Sequence, residues 1–574
     1  MTMATLDRII PAAAWLRAYE RGNLRADLVA GLTTAVMLIP QAMAYAMLAG
    51  LPPTVGLYAS TLPLVLYAVF GSSRELAVGP VAMDSLLVAT TLAPIAAAGS
   101  PEYVALAGLL ALMVGVIAAG LGLARAGFLV NFLSRPVVSG FTSAAALIIG
   151  LSQLEHLLGV ELPRSSQVFV VLAAAARALG EVHLPTVLLG ASSIGALVAL
   201  KAYVPKLPRG LLVVAAATVS VWVMNLGARG VAVVGDVPAG LPALSAPALD
   251  LAMIAELAPA ALVIALVAFM EAVSVAKAYA ARRGYAISPN QELIGIGVAN
   301  VGAACVGGYP VTGGFSRTAV NAQAGARTPL AGLVTAGVVV AALLFLTPVF
   351  TQLPKAVLAA VIMTAVFGLI DVAHVRHLWR VDRADLALLV ITFVATLGLG
   401  IQVGIGVGVV ASLLWFVVQA TRPHAAVLGR LRGTTAYRNV ERHPNAERIE
   451  GVLILRIDAS FYFGNVSFLE DLVRDTMAEQ EPPVHTVIVD GSSINRLDSS
   501  ASAAVGAMAK RLRGAGVALI LAGLKGPVID ALERGGVYDD VCGRASSLTV
   551  HDAVRSVLGT PPPSDQTLPL RNAS

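Results

Sequence analysis

GGYPVTGGFSRTAVN, residues 307–321, interrupts a chain that is otherwise almost continuously apolar as far as Ala420. Glycine and proline disfavour helix, so a helix can begin only after them, near residues 314–316. A helix that begins inside a membrane directs its unpaired N–H groups and the positive end of its dipole at whatever precedes it. Arg317 adds a full positive charge beside that helix start. The stretch therefore predicts an anion site at the start of a broken membrane helix.

The composition indicates an α-helical membrane protein. Of the 574 residues, 57% are hydrophobic and 13% are charged. A bilayer core of ~30 Å is crossed by about 20 helical residues, which is close to the length of the recurring apolar runs. Because these runs show no period-two alternation, a β-barrel is excluded. The two cysteines, Cys305 and Cys542, predict neither a disulfide framework nor a zinc site.

Fourteen candidate spans follow from the apolar runs, and a shorter apolar stretch, 168–179, is expected to lie along the membrane surface. The spans begin near Leu28, Val55, Pro80, Tyr103, Val137, Pro185, Leu211, Pro259, Leu293, Gly314, Leu330, Ala356, Leu386 and Val403. With the N-terminus inside, twelve Lys and Arg residues fall in inner loops and three or four in outer loops. This bias predicts that both termini are cytoplasmic.

The third and tenth spans are unusual because each follows a segment rich in glycine and proline, 76–80 and 310–314. Each is the third member of a group of seven spans. Interrupted segments at corresponding positions of two halves are typical of an inverted repeat whose binding site lies between the halves. The expected fold is therefore a seven-plus-seven inverted repeat of fourteen transmembrane segments.

The composition changes after Ala420, where alternating strand and helix patterns predict a small soluble α/β domain. The predicted strands are 452–458, 486–490 and 517–522, and the predicted helices are 466–479, 499–513 and 527–534. The expected divisions are a cytoplasmic N-terminal segment (1–26), a transmembrane transport domain (27–421), a charged linker (422–448), the α/β domain (449–559) and a disordered tail rich in Pro and Ser (560–574).

Several blocks of the sequence resemble the sulfate permease (SulP) family, whose animal relatives include the anion exchangers and prestin. They are PQAMAYAMLAGLPPTVGLYAS (40–60), SSRELAVGPVAMDSLL (72–87) and GYAISPNQEL through SRTAVN (284–321). IDASFYFGNVSFLEDL (457–472) resembles the STAS domain that these transporters carry. The resemblance extends from about Leu24 to Leu558. It implies gate and core domains within the inverted repeat and a homodimer in the bacterial inner membrane.

The resemblance also implies which residues hold the anion. In the family, backbone amides and side chains at the start of the tenth span bind the substrate, and the facing start of the third span and a polar face of the first span complete the cavity. The matching residues here are Gly314, Phe315, Ser316 and Arg317; Val78, Gly79, Pro80 and Val81; and Gln41 and Tyr45. Gln41 and Tyr45 are four residues apart and share a helix face, although a Tyr at this spacing is also common in a helix core.

Glu271 lies in the middle of the apolar eighth span. Burial disfavours the charged form of a carboxyl group, so Glu271 can take up and release a proton during transport. The alternative is a permanent ion pair with Arg317 or Lys277. In sodium-coupled bicarbonate members of the family, an Asp at this position is followed four residues later by Thr. Val275 offers no oxygen here, which favours protons over sodium, although Ser274 supplies a nearby hydroxyl.

Two further polar groups fit more than one role. Asp84 lies one turn into the third span. Three roles are open for it: a carboxylate stabilised by the helix dipole, a hydrogen-bond partner, or a second proton site. In the soluble domain, Asp498-Ser499-Ser500 resembles the STAS segment that is phosphorylated in anti-sigma-factor antagonists, which suggests regulatory phosphorylation of Ser499 or Ser500. The alternative is that Asp498 or Ser499 caps the helix that follows.

No catalytic nucleophile–base set, metal cluster or P-loop is evident in the sequence, which argues against an enzyme and against an ATP-driven pump. The expected function is proton-coupled secondary transport of an inorganic oxyanion, sulfate by the resemblance, by alternating access and without a cofactor. The alternatives are symport of bicarbonate or a C4-dicarboxylate, an uncoupled anion exchanger or channel, and an anion sensor. The expected partners are the bilayer, a small anion, a second copy and a cytoplasmic protein at the STAS domain, and not nucleic acid.

Overall fold

The computed structural model describes residues 10–131, 134–162, 168–204, 209–235, 240–542 and 549–559. The chain divides into two compact units, 1–412 and 413–574. Residues 1–9 of the predicted N-terminal segment and the whole predicted tail, 560–574, lie outside the described residues.

The first unit is built from helices, with two very short strands. The helices are α1 (Pro11–Arg17), α2 (Leu24–Leu48), α3 (Pro53–Tyr58), α4 (Leu62–Phe70), α5 (Ala82–Leu92), α6 (Pro101–Leu123), α7 (Arg135–Ser152), α8 (Leu154–Leu158), α9 (Val168–Arg177), α10 (Leu184–Tyr203), α11 (Arg209–Val223), α12 (Leu251–Arg283), α13 (Pro289–Cys305), α14 (Phe315–Gln323), α15 (Leu330–Phe345), α16 (Thr347–Phe350), α17 (Lys355–Val366), α18 (Val372–Val381), α19 (Arg383–Leu399) and α20 (Ile401–Thr421). The strands are β1 (Val78–Gly79) and β2 (Thr312–Gly313).

The fourteen predicted spans each coincide with a helix or with two consecutive helices. Among the described residues, seven helical segments are long and apolar enough to cross a membrane, and four further apolar helices are 10–17 residues long. The third and tenth spans correspond to α5, with 11 residues, and α14, with 9. Both are short because an extended segment takes up the first part of each apolar run.

The two extended segments pair with each other. β1 and β2 are antiparallel, with Val78 opposite Gly313 and Gly79 opposite Thr312. Each strand leads within a few residues into its helix, α5 or α14, after an extended residue at Val81 or Gly314. Since the strands run in opposite directions, the two helices leave the pair in opposite directions with their N-termini close to it. This is the arrangement expected for corresponding segments of an inverted repeat.

One continuous apolar cluster forms the core of the first unit. Leu38, Leu87 and Phe269 are among its fully buried side chains. Burying each such side chain contributes about 1.5–3 kcal/mol relative to exposure in water. Elsewhere large apolar side chains such as Leu188 and Trp222 are exposed, which fits a surface that faces lipid rather than water.

The second unit is a mixed sheet with helices. Its strands are β3 (Ala425–Leu431), β4 (Tyr437–Asn439), β5 (Ala446–Glu447), β6 (Val452–Ile457), β7 (Thr486–Asp490) and β8 (Ala518–Ala522), in the order β4-β3-β6-β7-β8, with β5 also paired to β3. β6, β7 and β8 are parallel, whereas β3 is antiparallel to its neighbours. The helices are α21 (Val466–Ala478), α22 (Ser499–Gly514), α23 (Gly526–Arg534), α24 (Tyr538–Cys542) and α25 (Val550–Val557).

The strands and helices predicted over residues 452–534 are all present with nearly the same bounds. The predicted linker, 422–448, differs from the structure because it contains β3, β4 and β5. Its many arginines suggested an unpaired segment, but Leu428 is buried in β3 while Arg432 points to solvent, where it pairs with Glu447. The arginine that follows β3 is tolerated because its side chain projects into water.

Asp498, and not Ser499, caps α22. Its carboxylate accepts hydrogen bonds from the amide of Ala501 at 2.8 Å and from the amide of Phe463 at 3.0 Å. We expect Asp498→Ala to destabilise the start of α22 by about 1–2 kcal/mol, because both bonds are lost. Hydrogen–deuterium exchange of α22 amides in the full-length protein measures this effect.

Ser499→Ala is the matched control, since the Ser499 side chain is exposed. Equal exchange of α22 in the two variants would contradict the assignment of the cap. Ser500 is also exposed, so both hydroxyls are accessible to a kinase, and their phosphorylation stays a prediction.

Candidate functional site

Polar side chains hold the extended segment that precedes α14. The side-chain amide of Asn300 in α13 donates to the carbonyl of Val311 at 2.8 Å, and the amide of Val311 donates back to Asn300 Oδ1 at 2.9 Å. The Thr312 hydroxyl donates to the carbonyl of Ala268 in α12 at 2.5 Å. Non-helical backbone at membrane depth requires partners of this kind, since lipid offers none. Specific hydrogen bonds therefore stabilise the extended segment that breaks the helix.

A second set of bonds joins the segment before α5 to α14. The amide of Gly314 donates to the carbonyl of Ala77 at 3.0 Å, and the amide of Ala77 donates to the Thr318 hydroxyl at 3.0 Å. The side-chain amide of Asn321 donates to the carbonyl of Glu75 at 2.9 Å. The starts of the third and tenth spans are thus fixed to one another, as the inverted repeat requires.

Arg317 bridges the two helix starts. Its side chain is 1% exposed, and its Nη1 donates to the carbonyl of Pro80. Its Nε and Nη2 atoms are buried and have no hydrogen-bond partner among the residues that the structure describes. Buried polar groups almost always find a partner, and a buried cation with free donors is especially costly. The two nitrogens lie close to the N-terminus of α14, and hydrogen-bond donors in such a position can accept an anion.

Two glycines make room for this arrangement. Gly79 has a φ of +152°, a backbone conformation that other residues rarely adopt. At Gly314 an added Cβ would lie 2.8 Å from both Cζ and Nη2 of Arg317. The guanidinium group of Arg317 therefore occupies the space that a side chain at position 314 would need.

Glu271 and two tyrosines surround Arg317. Glu271 on α12, Tyr45 on α2 and Tyr309 before β2 are all close enough to interact electrostatically with the guanidinium group. Glu271 is partly exposed, and among the described residues it forms no hydrogen bond to Arg317. Lys277 lies on an exposed part of α12. The permanent ion pair considered from the sequence is therefore not formed among the described residues in this conformation.

The structure brings most of the predicted site residues to the strand pair or to the helices around it. Val78, Gly79, Pro80, Val81, Gly314, Arg317, Gln41 and Tyr45 are buried. The Oε1 atom of Gln41 has no hydrogen-bond partner, so it is available to a ligand or a water molecule. Phe315, which is 61% exposed, and Ser316, which is also exposed, occupy the open side of the first turn of α14.

Several residues of the site were not predicted from the sequence. Tyr309 is fully buried, and its hydroxyl lies 3.1 Å from the hydroxyl of Ser85 on α5. Asn300 and Thr312, which hold the extended segment, were not singled out either. Each is a polar residue inside an apolar run, and this signal alone would have marked them as candidates.

Two carboxylates outside the strand pair hold the loop between α4 and α5. Glu292, near the start of α13, accepts hydrogen bonds from the Tyr67 hydroxyl at 2.7 Å and the Ser72 amide at 2.8 Å. Glu75 accepts a hydrogen bond from the Tyr285 hydroxyl, and burial raises the pKa of this carboxyl group. These contacts fix the loop that leads to β1.

A cavity of about 410 Å³ lies farther along α5. Its lining includes Leu86 and Thr90 of α5, Tyr103 of α6 and Gln153 next to α7. By the predicted topology these helix ends are on the outer side of the membrane. The cavity reaches the segment of α5 that directly follows Asp84.

Comparison with known proteins adds two family matches. Residues 24–392 match the description "Sulfate permease family", and residues 443–553 match "STAS domain". The chain is 39% identical over 572 residues to "Sulfate transporter 4.1, chloroplastic" of Arabidopsis thaliana, covering 96% of this chain and 83% of that protein. It is 36% identical over 549 residues to a protein of Mycobacterium tuberculosis named "Probable sulfate transporter Rv1739c", covering 95% and 97%.

Two solved structures are also similar. The murine Slc26a9 anion transporter in the inward-facing state has a TM-score of 0.89 at 25% identity, covering 98% of this chain and 96% of that chain. The transmembrane domain of the cyanobacterial bicarbonate transporter BicA has a TM-score of 0.59 at 25% identity, covering 69% and 98%. These likenesses agree with an inverted repeat of fourteen segments followed by a STAS domain.

Proposed function

Because the chain belongs to the sulfate permease family, we propose that it moves sulfate together with protons across a bacterial cytoplasmic membrane. The chain is a multi-pass anion transporter and not an enzyme. The choice of sulfate rests on the names of the curated relatives, which are sulfate transporters over nearly the whole chain.

One observation carries the proposal for the site. Arg317 is buried at the junction of β1, β2 and α14 with two nitrogens that lack a partner. An oxyanion accepts hydrogen bonds from guanidinium nitrogens and from amides at a helix start at the same time. Tyr45 and Gln41 add neutral polar groups that do not compete with the anion for positive charge. The proposed binding residues are therefore those around the paired strands.

We propose that Glu271 couples anion transport to proton transport. This carboxyl group lies near Arg317 without bonding to it, so its charge and the charge of a bound anion act on the same guanidinium group. A bound anion satisfies Arg317 and favours the neutral form of Glu271, whereas an empty site favours the carboxylate. Val275, which is buried one turn farther along α12, offers no oxygen to sodium.

For the transport cycle we propose alternating access. The core, which contains the paired strands and Glu271, moves against the remaining spans as a rigid body, and the bound anion moves with it. Two copies would form a homodimer, with both termini and the STAS domains in the cytoplasm. Exposed Ser499 and Ser500 would offer a site where a cytoplasmic partner regulates transport.

Bicarbonate is the second candidate substrate, because the transmembrane part of the chain is similar to BicA. The test is uptake of radiolabelled sulfate into proteoliposomes that contain the purified full-length protein, with an inward proton gradient. Bicarbonate, fumarate, nitrate and chloride are added separately as competitors. We expect sulfate to accumulate and unlabelled sulfate to compete best. Stronger competition by bicarbonate or fumarate would contradict sulfate as the substrate, and current without accumulation would indicate a channel.

A further inference from the structure

Asp84 is the one carboxyl group at the described site for which the proposed cycle so far has no use. It is the third residue of α5 and is 0% exposed. Within the described part of the chain, neither of its carboxyl oxygens has a hydrogen-bond partner. A permanent hydrogen bond was one of the three roles that the sequence left open for Asp84, and it is not formed among the described residues.

The helix dipole is too weak to explain a charged Asp84. A carboxylate in the first turn of a helix gains at most about 2 kcal/mol from the dipole. Removing an ion from water without pairing it costs several kcal/mol. The balance favours a neutral, protonated Asp84 in this conformation.

The groups that face Asp84 come from several elements. Glu271 on α12 and Tyr309 before β2 interact with it electrostatically, and Arg317 and Tyr45 belong to the same cluster. The helices α6 and α7 also pack against α5. Their ionisable side chains are confined to their first residues, Glu102, Tyr103 and Arg135.

We propose that Asp84 and Glu271 form a two-proton site, so that each divalent oxyanion crosses the membrane with two protons. This inference rests on the proposed function and specifies its stoichiometry. When the site is empty and both carboxyl groups are ionised, Arg317 contributes one positive charge and the carboxylates two negative ones, which leaves one net negative charge. When both carboxyl groups are protonated and a divalent anion is bound, the net charge is again one negative. The site therefore crosses the membrane with the same charge in both directions, and transport is electroneutral.

A cavity lies beside the part of α5 that follows Asp84. The cavity of about 410 Å³ is lined by Leu86 and Ala89, which follow Asp84 on α5, and by the polar residues Thr90 and Gln153. The lining is mainly apolar with several polar side chains, and a cavity of this size holds water molecules. Asp84 is fully buried and does not line the cavity, so exchange of its proton with this water requires a change of conformation.

The test measures the accumulation of radiolabelled sulfate by the wild-type protein in proteoliposomes at a proton gradient of one pH unit. With two protons per sulfate the accumulation ratio approaches about 100-fold, because each proton contributes about tenfold. It does not change when an inside-negative potential of about 59 mV, the tenfold equivalent of one charge, is imposed. With one proton, the ratio reaches about tenfold and the potential removes it.

The variant Asp84→Asn keeps the shape of the side chain but cannot be ionised. We expect its accumulation ratio to fall to about tenfold and to become sensitive to potential. A ratio that stays near 100-fold in Asp84→Asn overturns the inference, as does a ratio near tenfold in the wild-type protein. The wild-type measurement tests the two-proton stoichiometry even if the variant does not fold, and the variant tests the assignment of the second proton to Asp84. If the wild-type protein accumulates no sulfate under a proton gradient, the proposed coupling itself fails and this inference fails with it.

Discussion

Glu271→Gln is expected to lower the sulfate accumulation ratio about tenfold per unit of imposed pH gradient, since one proton fewer crosses with each anion. Glutamine keeps the volume of the side chain and much of its hydrogen bonding but cannot change its charge. Because Glu271 forms no hydrogen bond to Arg317, the substitution leaves the guanidinium group and its contact with Pro80 in place. The loss is therefore specific to coupling.

Sulfate counterflow at equal pH separates coupling from binding. We expect Glu271→Gln to exchange labelled for unlabelled sulfate at a rate close to that of the wild-type protein. Glu256→Gln is the matched control, because Glu256 is an exposed carboxylate on the same helix, α12. A variant of Glu271 with undiminished accumulation would show that this residue does not carry the coupling proton. Combining Glu271→Gln with Asp84→Asn should abolish proton-driven accumulation.

Loss of Arg317 is expected to have the largest effect on substrate affinity. Removing one partner of a buried charge interaction costs about 2–5 kcal/mol, which corresponds to a rise in the half-saturating sulfate concentration of at least about 30-fold. Arg317→Ala removes the charge and the contact with Pro80. Arg317→Lys keeps the charge but loses the planar guanidinium group, which donates to the Pro80 carbonyl and to the anion. Its affinity for sulfate should therefore lie between those of Arg317→Ala and the wild-type protein.

Gly314→Ser tests the same site without removing the charge. The new Cβ would fall within 2.8 Å of the guanidinium carbon, so the Arg317 side chain must move. We expect a raised half-saturating concentration with the maximal rate less affected. Lys277→Gln is the control, since Lys277 is an exposed cation on α12. If Arg317→Ala binds sulfate as tightly as Lys277→Gln does, the anion is not held by Arg317.

Much of the architecture was predictable because it depends on local composition. The lengths of the apolar runs and the distribution of Lys and Arg predicted fourteen spans, and each coincides with helix in the structure. The interruptions at 76–80 and 310–314 marked the two short helices, since glycine and proline act on the backbone next to them. The alternation after residue 450 predicted the STAS strands and helices for the same reason.

The boundary of the soluble domain was less predictable. The arginines of 422–448 suggested a linker, whereas residues 425–431 form β3 and pair with β6. β3 lies inside the sheet between β4 and β6, and its pairing with β6 depends on residues that are distant in the sequence. A composition argument therefore misses it.

The residue types alone predict that the chain crosses a membrane through a repeated helical domain, that its third and tenth spans are broken, that Arg317 lies in the tenth span and that Glu271 lies in the eighth. These features follow from residue types along a single segment. How these residues act together depends on tertiary contacts: Arg317 reaches across to Pro80, Gly314 leaves space for it, and Asp84 is buried without a hydrogen-bond partner among the described residues. Hydrogen bonding and desolvation depend on contacts between residues that lie more than 200 positions apart in the sequence. A local sequence pattern carries no information about such contacts.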